Sequence, residues 1–154
     1  VTKIDREQLS ELEIRFLDET AGRFRDELSL RAFQEGVEHS RMKRFGEATV
    51  SFERSVELAK QGPHVSRVRM ELARALRFQG KQPEAITVFH DILESDLLDR
   101  HLAAESHWNL ALCYVETHKR DLARRELLYV INKFPRSQWA RLARPKLMDV
   151  NRMR

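Results

Sequence analysis

The side chains that could do chemistry in this sequence are six histidines and one cysteine. The histidines stand at irregular intervals, at His39, His64, His90, His101, His107 and His118. No two of them are four residues apart and none forms an HExxH motif, the spacing that places two imidazoles on one helical face around zinc. We therefore predict no metal site and no cofactor, and we expect His101 and His107 to be surface residues of a helix.

The single cysteine offers no catalytic chemistry. Cys113 lies between Leu112 and Tyr114 on an apolar stretch with no base beside it, so we expect a small buried side chain rather than a nucleophile. The glycines stand singly, so the sequence contains no glycine-rich phosphate loop. These patterns predict a protein without enzymatic activity.

The composition is that of a water-soluble helical domain. Within 154 residues, 42% are hydrophobic and 34% charged, and no apolar run approaches the roughly 18 residues of a membrane span. The net charge of +4 comes from 28 basic and 24 acidic residues, which indicates a weak preference for acidic partners. Arginines crowd one predicted helix, but glutamates are interspersed, so RNA or DNA binding is the weaker alternative.

Three pairs of helical segments organise the chain, at about residues 29–62, 66–99 and 104–136. Their second helices carry Ala48, Ala85 and Ala123, which are 37 and 38 residues apart. A period of this size with two helices per unit is typical of a stacked helical repeat. The expected turns lie at residues 41–44 and at Gly80, and the pair Gly62–Pro63 is expected to end the first unit.

Small residues are expected where the two helices of each pair cross. The first helices carry Gly36, Ala73 and Ala111 at equivalent positions. Gly36 costs roughly 1 kcal/mol in a helix relative to alanine, which makes sense where another helix passes too close for a side chain. The bulky residues that fill the space between units are Phe52, Phe89 and Leu127.

The two ends depart from the repeat and are predicted to be capping elements. Residues 1–28 give one or two amphipathic helices with a break at 20–22, and a dimerising or partner-binding role is their alternative. Residues 137–154 give a last helix that Ser137 caps and that Pro145 should kink or split.

Residues 29–136 resemble the tetratricopeptide repeat family. Its pattern places a large residue, Leu, a small residue and Tyr on the first helix, then Ala, an aromatic residue, Ala and Pro. The third repeat matches best, through Leu110, Ala111, Tyr114, Ala123 and Pro135. The second repeat matches through Leu72, Ala73, Gly80, Ala85 and Phe89. The first repeat matches through Gly36, Phe45, Ala48 and Phe52. The first repeat departs from the pattern at Glu35 and His39, and the second lacks the closing proline.

This resemblance implies an all-α, right-handed solenoid that acts as a non-catalytic scaffold for protein–protein interaction. Partners of such proteins usually lie along the concave groove made by the first helices. The residues that this places in the groove are Phe33, Val37, Arg67, Met70, Arg74, Phe78, Trp108, Asn109 and Leu112. An aromatic and methionine surface with arginines suits a peptide or amphipathic helix that carries acidic residues. Among these positions only Asn109 fits the clamp for a chaperone's acidic tail, so we do not expect that ligand.

Two other readings of the sequence stay open. The groove could be filled by the chain's own N-terminal helix, which would make the protein a structural or oligomerising module. The polar first ten residues favour a cytoplasmic location, with a periplasmic or membrane-tethered one as the alternative if a segment precedes Val1. The run from Val130 to Ala140 resembles a segment common in bacterial cell-envelope tetratricopeptide proteins, which hints at a bacterial source.

Overall fold

The computed structural model describes residues 10–59, 64–96 and 98–153, and these residues form an all-α fold. Within those ranges there are seven helices and no strand. The helices are α1 (Glu11–Arg41), α2 (Phe45–Ala59), α3 (Val65–Phe78), α4 (Gln82–Leu93), α5 (Arg100–Glu116), α6 (Arg120–Lys133) and α7 (Gln138–Arg152). The all-α prediction is confirmed. The Gly62–Pro63 pair and the first nine residues of the predicted N-terminal element lie outside the described ranges.

Each helix packs mainly against the next one along the chain. In addition, α1 contacts α3, α3 contacts α5, and α5 contacts α7. The odd-numbered helices therefore follow one another as a row, and the even-numbered helices pack between successive members of that row. This repeat-like arrangement agrees with the helical pairs that the sequence predicts. Across the described residues, none of the helices combines the length and the apolar content that crossing a bilayer requires.

The three turns inside the helical pairs have the same geometry. Each contains one residue with positive φ: Lys43 at 59°, Gly80 at 80° and His118 at 56°. In each turn the next backbone N–H donates to the carbonyl oxygen five residues earlier, and these bonds are Arg44 to His39 at 2.8 Å, Lys81 to Leu76 at 2.9 Å, and Lys119 to Tyr114 at 2.8 Å. The positive-φ residues are 37 and 38 positions apart, so the turns repeat with the period of the alanines. This left-handed conformation costs a non-glycine residue roughly 1–2 kcal/mol.

The core lies between the helices at the predicted crossing points. Ala48, Ala85 and Ala123 are wholly buried. The same holds for the bulky residues four positions later, Phe52, Phe89 and Leu127. At Gly36, a Cβ atom would lie 2.5 Å from Cε1 of Phe52, so α1 and α2 cross too closely there for any side chain. The predicted reason for a glycine inside this helix is confirmed.

The N-terminal half of α1 extends beyond the core. The expected break at residues 20–22 is absent, because α1 is one helix of 31 residues. Its start is a capping box, in which the Ser10 N–H and hydroxyl donate to the Glu13 carboxylate at 2.8 and 2.7 Å and hold the pKa of Glu13 below its usual value. Ser29 is the first buried residue of α1. We call residues 11–28 the N-terminal arm.

The C-terminal helix α7 begins as the sequence predicts. Ser137 is its N-cap, and the hydroxyl oxygen accepts a hydrogen bond from the Ala140 N–H at 3.1 Å. The helix is not split at Pro145 but continues to Arg152. Buried Ala143 before the proline and buried Val150 after it anchor both halves to the core, which offsets the lost backbone hydrogen bond.

Candidate functional site

The nine residues predicted for the groove all lie on the odd-numbered helices, but the structure gives them different exposure. Two are buried, namely Met70 and Asn109; two are exposed, namely Arg67 and Phe78; and five are partly buried, namely Phe33, Val37, Arg74, Trp108 and Leu112. The row of odd helices therefore brings these residues to α1, α3 and α5 without making all of them available to a partner.

The two buried residues serve the core. Met70 has no exposed surface and belongs to the main apolar cluster. The Asn109 side-chain amide donates to the backbone carbonyl oxygen of Glu105 at 2.9 Å, inside the same helix. Neither residue can touch a partner in this conformation. Met70 is equivalent to Phe33 and Trp108 by the repeat period, so its burial interrupts the apolar surface between them.

Arg67 and Arg74, the two arginines predicted to pair with acidic groups of a partner, already form ion pairs within the protein. Arg67 lies 3.1 Å from the carboxylate of Glu71 and 3.1 Å from that of Glu105, which is only 2% exposed. Arg74 lies 3.3 Å from Glu71. The ion pair between Arg67 and Glu105 joins α3 to α5. These two side chains therefore occupy the surface between the two helices that a partner's acidic group was predicted to contact.

An open cleft remains at the other end of α3, where it faces the end of α1 and the start of α2. Its volume is about 410 Å³, and it is lined by Ser40, Arg41, Lys43, Phe45, Glu71, Arg74, Ala75 and Phe78. The rings of Phe45 and Phe78 are stacked, with centroids 5.0 Å apart and planes 23° from parallel. Phe78 is 52% exposed. We call this site the aromatic cleft; it contains two of the predicted residues, Arg74 and Phe78.

Polar contacts fix the position of the aromatic pair. The side-chain amide of Gln79 donates to the Phe45 carbonyl oxygen at 2.8 Å and to the Thr49 hydroxyl at 3.1 Å, which ties the end of α3 to the start of α2. The Arg77 guanidinium lies 4.7 Å from the centre of the Phe78 ring and donates to Glu116 of α5 at 2.6 Å. The cleft is therefore held in shape before any ligand arrives.

The charge around the aromatic cleft is positive. Its lining carries three cations, Arg41, Lys43 and Arg74, and one carboxylate, Glu71. Arg41 also lies 3.5 Å from Glu38, but both side chains are largely exposed, so water screens this pair. A ligand with acidic groups beside an apolar anchor would complement this surface.

Six of the eight cleft residues are not among the partner-binding residues predicted from the sequence, and they are Ser40, Arg41, Lys43, Phe45, Glu71 and Ala75. A signal for Phe45 is present in the repeat, because the equivalent positions hold Gln82 and Arg120. The positions equivalent to Phe78 hold Arg41 and Glu116. Both aromatic residues thus stand where the other repeats place polar ones. Phe45 packs against the core, whereas Phe78 is 52% exposed, so Phe78 is the member of the pair that a ligand can reach.

Among the remaining chemical side chains, His107 and Cys113 pack within the fold. His107 is not the surface residue that the sequence predicts, because its Nδ1 atom lies 2.6 Å from the Glu126 carboxylate and its ring packs 4.2 Å from that of Tyr129. His101 is exposed, as expected. Cys113 is wholly buried, as expected, and burial raises the pKa of its thiol to about 12. In the described part of the chain, no three potential metal ligands come together.

Comparisons with known proteins give no assignment. No protein-family model matches this chain, and no curated protein matches it. Membership of the tetratricopeptide repeat family therefore stays a prediction that depends on the residues named above, and function is inferred from the described surface.

Proposed function

We propose that this chain is a non-catalytic scaffold of the tetratricopeptide type that binds another protein. In this proposal the helical pairs form a right-handed solenoid with capping helices at both ends. The repeated turns at Lys43, Gly80 and His118 and the buried alanines with the same period support it. The cytoplasmic location and the bacterial source suggested by the sequence belong to the same proposal.

The observation that carries the proposal is the exposed Phe78 ring, stacked on partly buried Phe45 inside a cationic cleft. Half of the Phe78 residue surface faces water, and burying that half under a ligand would contribute about 1–1.5 kcal/mol. The contact with Phe45 holds the ring in one orientation, so little side-chain entropy is lost on binding. We therefore expect a peptide or amphipathic helix with an apolar anchor on Phe78 and acidic residues near Arg41 and Lys43.

Arg74 would bind the ligand by replacing its ion pair with Glu71 by one with a carboxylate of the ligand. It lies 3.3 Å from Glu71, and its side chain is about one-third exposed, so an incoming carboxylate could reach it from the solvent side. Phe33, Val37, Trp108 and Leu112 are partly buried and would make shallower contacts further along the row. Met70 and Asn109 are excluded from the proposed contact surface, because both are buried.

A second candidate is a structural module whose inner row is closed. The burial of Met70 and the ion pair between Arg67 and Glu105 favour it, since both fill the row with the chain's own side chains. The N-terminal arm does not favour this candidate, because residues 11–28 of α1 are mostly exposed and Ser29 is the first buried residue of the helix. RNA is a less favoured ligand, since acidic side chains already pair with Arg67, Arg74 and Arg77.

A peptide selection would test the binding proposal. A random phage-displayed library is panned on the immobilised protein, and the affinities of enriched synthetic peptides are measured by fluorescence polarisation. We expect acidic peptides with one aromatic or aliphatic anchor, and we expect Phe78→Ser combined with Arg74→Glu to weaken them at least about tenfold. Val50→Ser is the matched control, because Val50 is 65% exposed on α2 and does not line the cleft.

The results separate the two candidates. Peptides that bind the double variant and the parent protein equally well would show that the aromatic cleft is not the site. A library that yields no enriched peptide would favour the closed structural module.

A further inference from the structure

Two surfaces outside the aromatic cleft carry apolar side chains that no described residue of the chain covers. The first is the N-terminal arm, on which four large apolar residues are exposed: Leu12, Phe16, Leu17 and Phe24. The exposed fraction of Phe16, for example, is 69%. So many large apolar side chains on one short stretch of helix are unusual for a surface that stays in water.

The second surface is the outer side of α7. Ala140, Ala143 and Val150 face the core, and the opposite side of the helix exposes Leu142 and Met148, of which Met148 is 63% exposed. Arginines surround these apolar residues, and the exposed ones are Arg141, Arg144 and Arg152. This helix is the last of the contact series, so no further helix packs on that side within the described ranges.

The two surfaces have opposite charge. The arm, residues 11–28, carries six acidic and three basic residues and so a net charge of −3. Helix α7 carries four basic residues and one acidic residue and so a net charge of +3. Two arms placed side by side would repel each other, whereas an arm placed on α7 gains electrostatic attraction and covers both apolar surfaces.

We propose that the partner of the N-terminal arm is α7 of a second copy of this chain. The 18 residues of the arm span about 27 Å and the 15 residues of α7 about 22 Å, so the arm can cover the whole length of α7. In this structure α1 packs against α2 and α3, whereas α7 packs against α5 and α6 at the other end of the contact series, so the arm does not pack on α7 of its own chain. Docking in both directions closes a dimer, and docking in one direction builds a longer series of copies.

The acidic rim of the arm and the basic rim of α7 select this pairing. In the arm, exposed Glu19 lies one turn after Phe16, and exposed Glu27 lies one turn after Phe24. In α7, exposed Arg141 directly precedes Leu142, and exposed Arg152 lies one turn after Met148. None of these residues lines the aromatic cleft, so the association can fail or succeed independently of peptide binding.

Reversing the charges on the arm and on α7, separately and together, tests the proposal in solution. The arm variant carries Glu19→Lys and Glu27→Lys, and the α7 variant carries Arg141→Glu and Arg152→Glu. We expect sedimentation velocity to show concentration-dependent association of the parent chain and at least about tenfold weaker association of each variant alone. Mixing the two variants should restore association, because each reversed surface then meets its complement on the other chain. Far-ultraviolet circular dichroism checks that each variant keeps its helices.

An apolar variant provides an independent readout. Phe16→Ser should weaken association to a similar extent, while Val50→Ser, which removes an equally exposed apolar side chain from α2, should leave it unchanged. Three results would overturn the proposal. They are a parent chain that stays monomeric at every concentration, an α7 variant that associates as well as the parent, and a mixture of the two charge variants that does not associate.

Discussion

Replacing Gly36 by alanine probes the tight crossing of α1 and α2 directly. The new Cβ atom would lie 2.5 Å from Cε1 and 2.6 Å from Cδ1 of Phe52, well inside van der Waals contact. Phe52 is wholly buried and its ring packs against Phe33, with centroids 5.9 Å apart, so it has little room to move away. The helices must separate slightly, or the ring must leave its preferred rotamer.

The magnitude follows from two opposing contributions. Overpacking a core by one methyl group typically costs about 1–3 kcal/mol, whereas alanine in place of glycine inside a helix gains about 1 kcal/mol. We expect Gly36→Ala to lower the free energy of unfolding by up to about 2 kcal/mol. Gly22 is the matched control in the same helix, since nothing lies within 4 Å of the position that a methyl group would take there. Gly22→Ala should leave stability unchanged or raise it by up to about 1 kcal/mol.

Urea unfolding followed by circular dichroism measures both variants. Phe52→Leu added to Gly36→Ala should recover part of the loss, because the third pair combines Leu127 with Ala111 at the equivalent positions. Tight packing at Gly36 would be refuted if Gly36→Ala proved as stable as Gly22→Ala or more stable than the parent.

Three further predictions concern buried groups. With the Cys113 pKa raised from 9.0 to about 12, iodoacetamide at pH 8 should alkylate the folded chain at least about 1,000-fold more slowly than the urea-unfolded chain, as mass spectrometry would show. The folded-state pKa lies above the unfolded one, so this thiol's contribution to stability is full below pH 9 and is lost as the pH rises toward 12. Ser55→Ala removes the 2.8 Å hydrogen bond to the Ser29 carbonyl and should cost about 1 kcal/mol in urea unfolding; an unchanged midpoint would contradict it. Arg67→Ala leaves the Glu105 carboxylate buried without this partner and should cost about 1–3 kcal/mol, and adding Glu105→Gln should recover part of that loss, an effect that a double-mutant cycle measures.

The sequence predicts the helical pairs well because their crossings need small residues at a fixed period. It fails at the arm, where Thr20 and Gly22 predict a helix break that does not form. One glycine costs only about 1 kcal/mol, and a helix that continues through it keeps its backbone hydrogen bonds. At two of the turns the opposite happens, since a conformation forms that the residue type does not predict. Only Gly80 has the residue type that a positive φ favours, and Lys43 and His118 adopt the same conformation because the flanking helices impose it.

The aromatic cleft was predictable only in part, because burial depends on neighbours that the sequence does not reveal. Met70 and Trp108 occupy equivalent positions in successive pairs, yet Met70 is wholly buried and Trp108 only partly. Phe45 and Phe78 are 33 residues apart, and their contact depends on how α3 packs against the start of α2. Periodicity places residues on a face of a helix but does not determine how closely the next helix covers that face.

The pattern of contacts between helices one or two places apart also has a mechanical consequence. In the described residues α1 does not pack against α7. Tension applied to the two ends would therefore unfold the helical pairs one after another instead of unfolding the domain in a single event. Below that force, small rotations at successive crossings would add up along the row. The distance between the ends could then change while each local core stays intact, so the domain would behave as a soft spring.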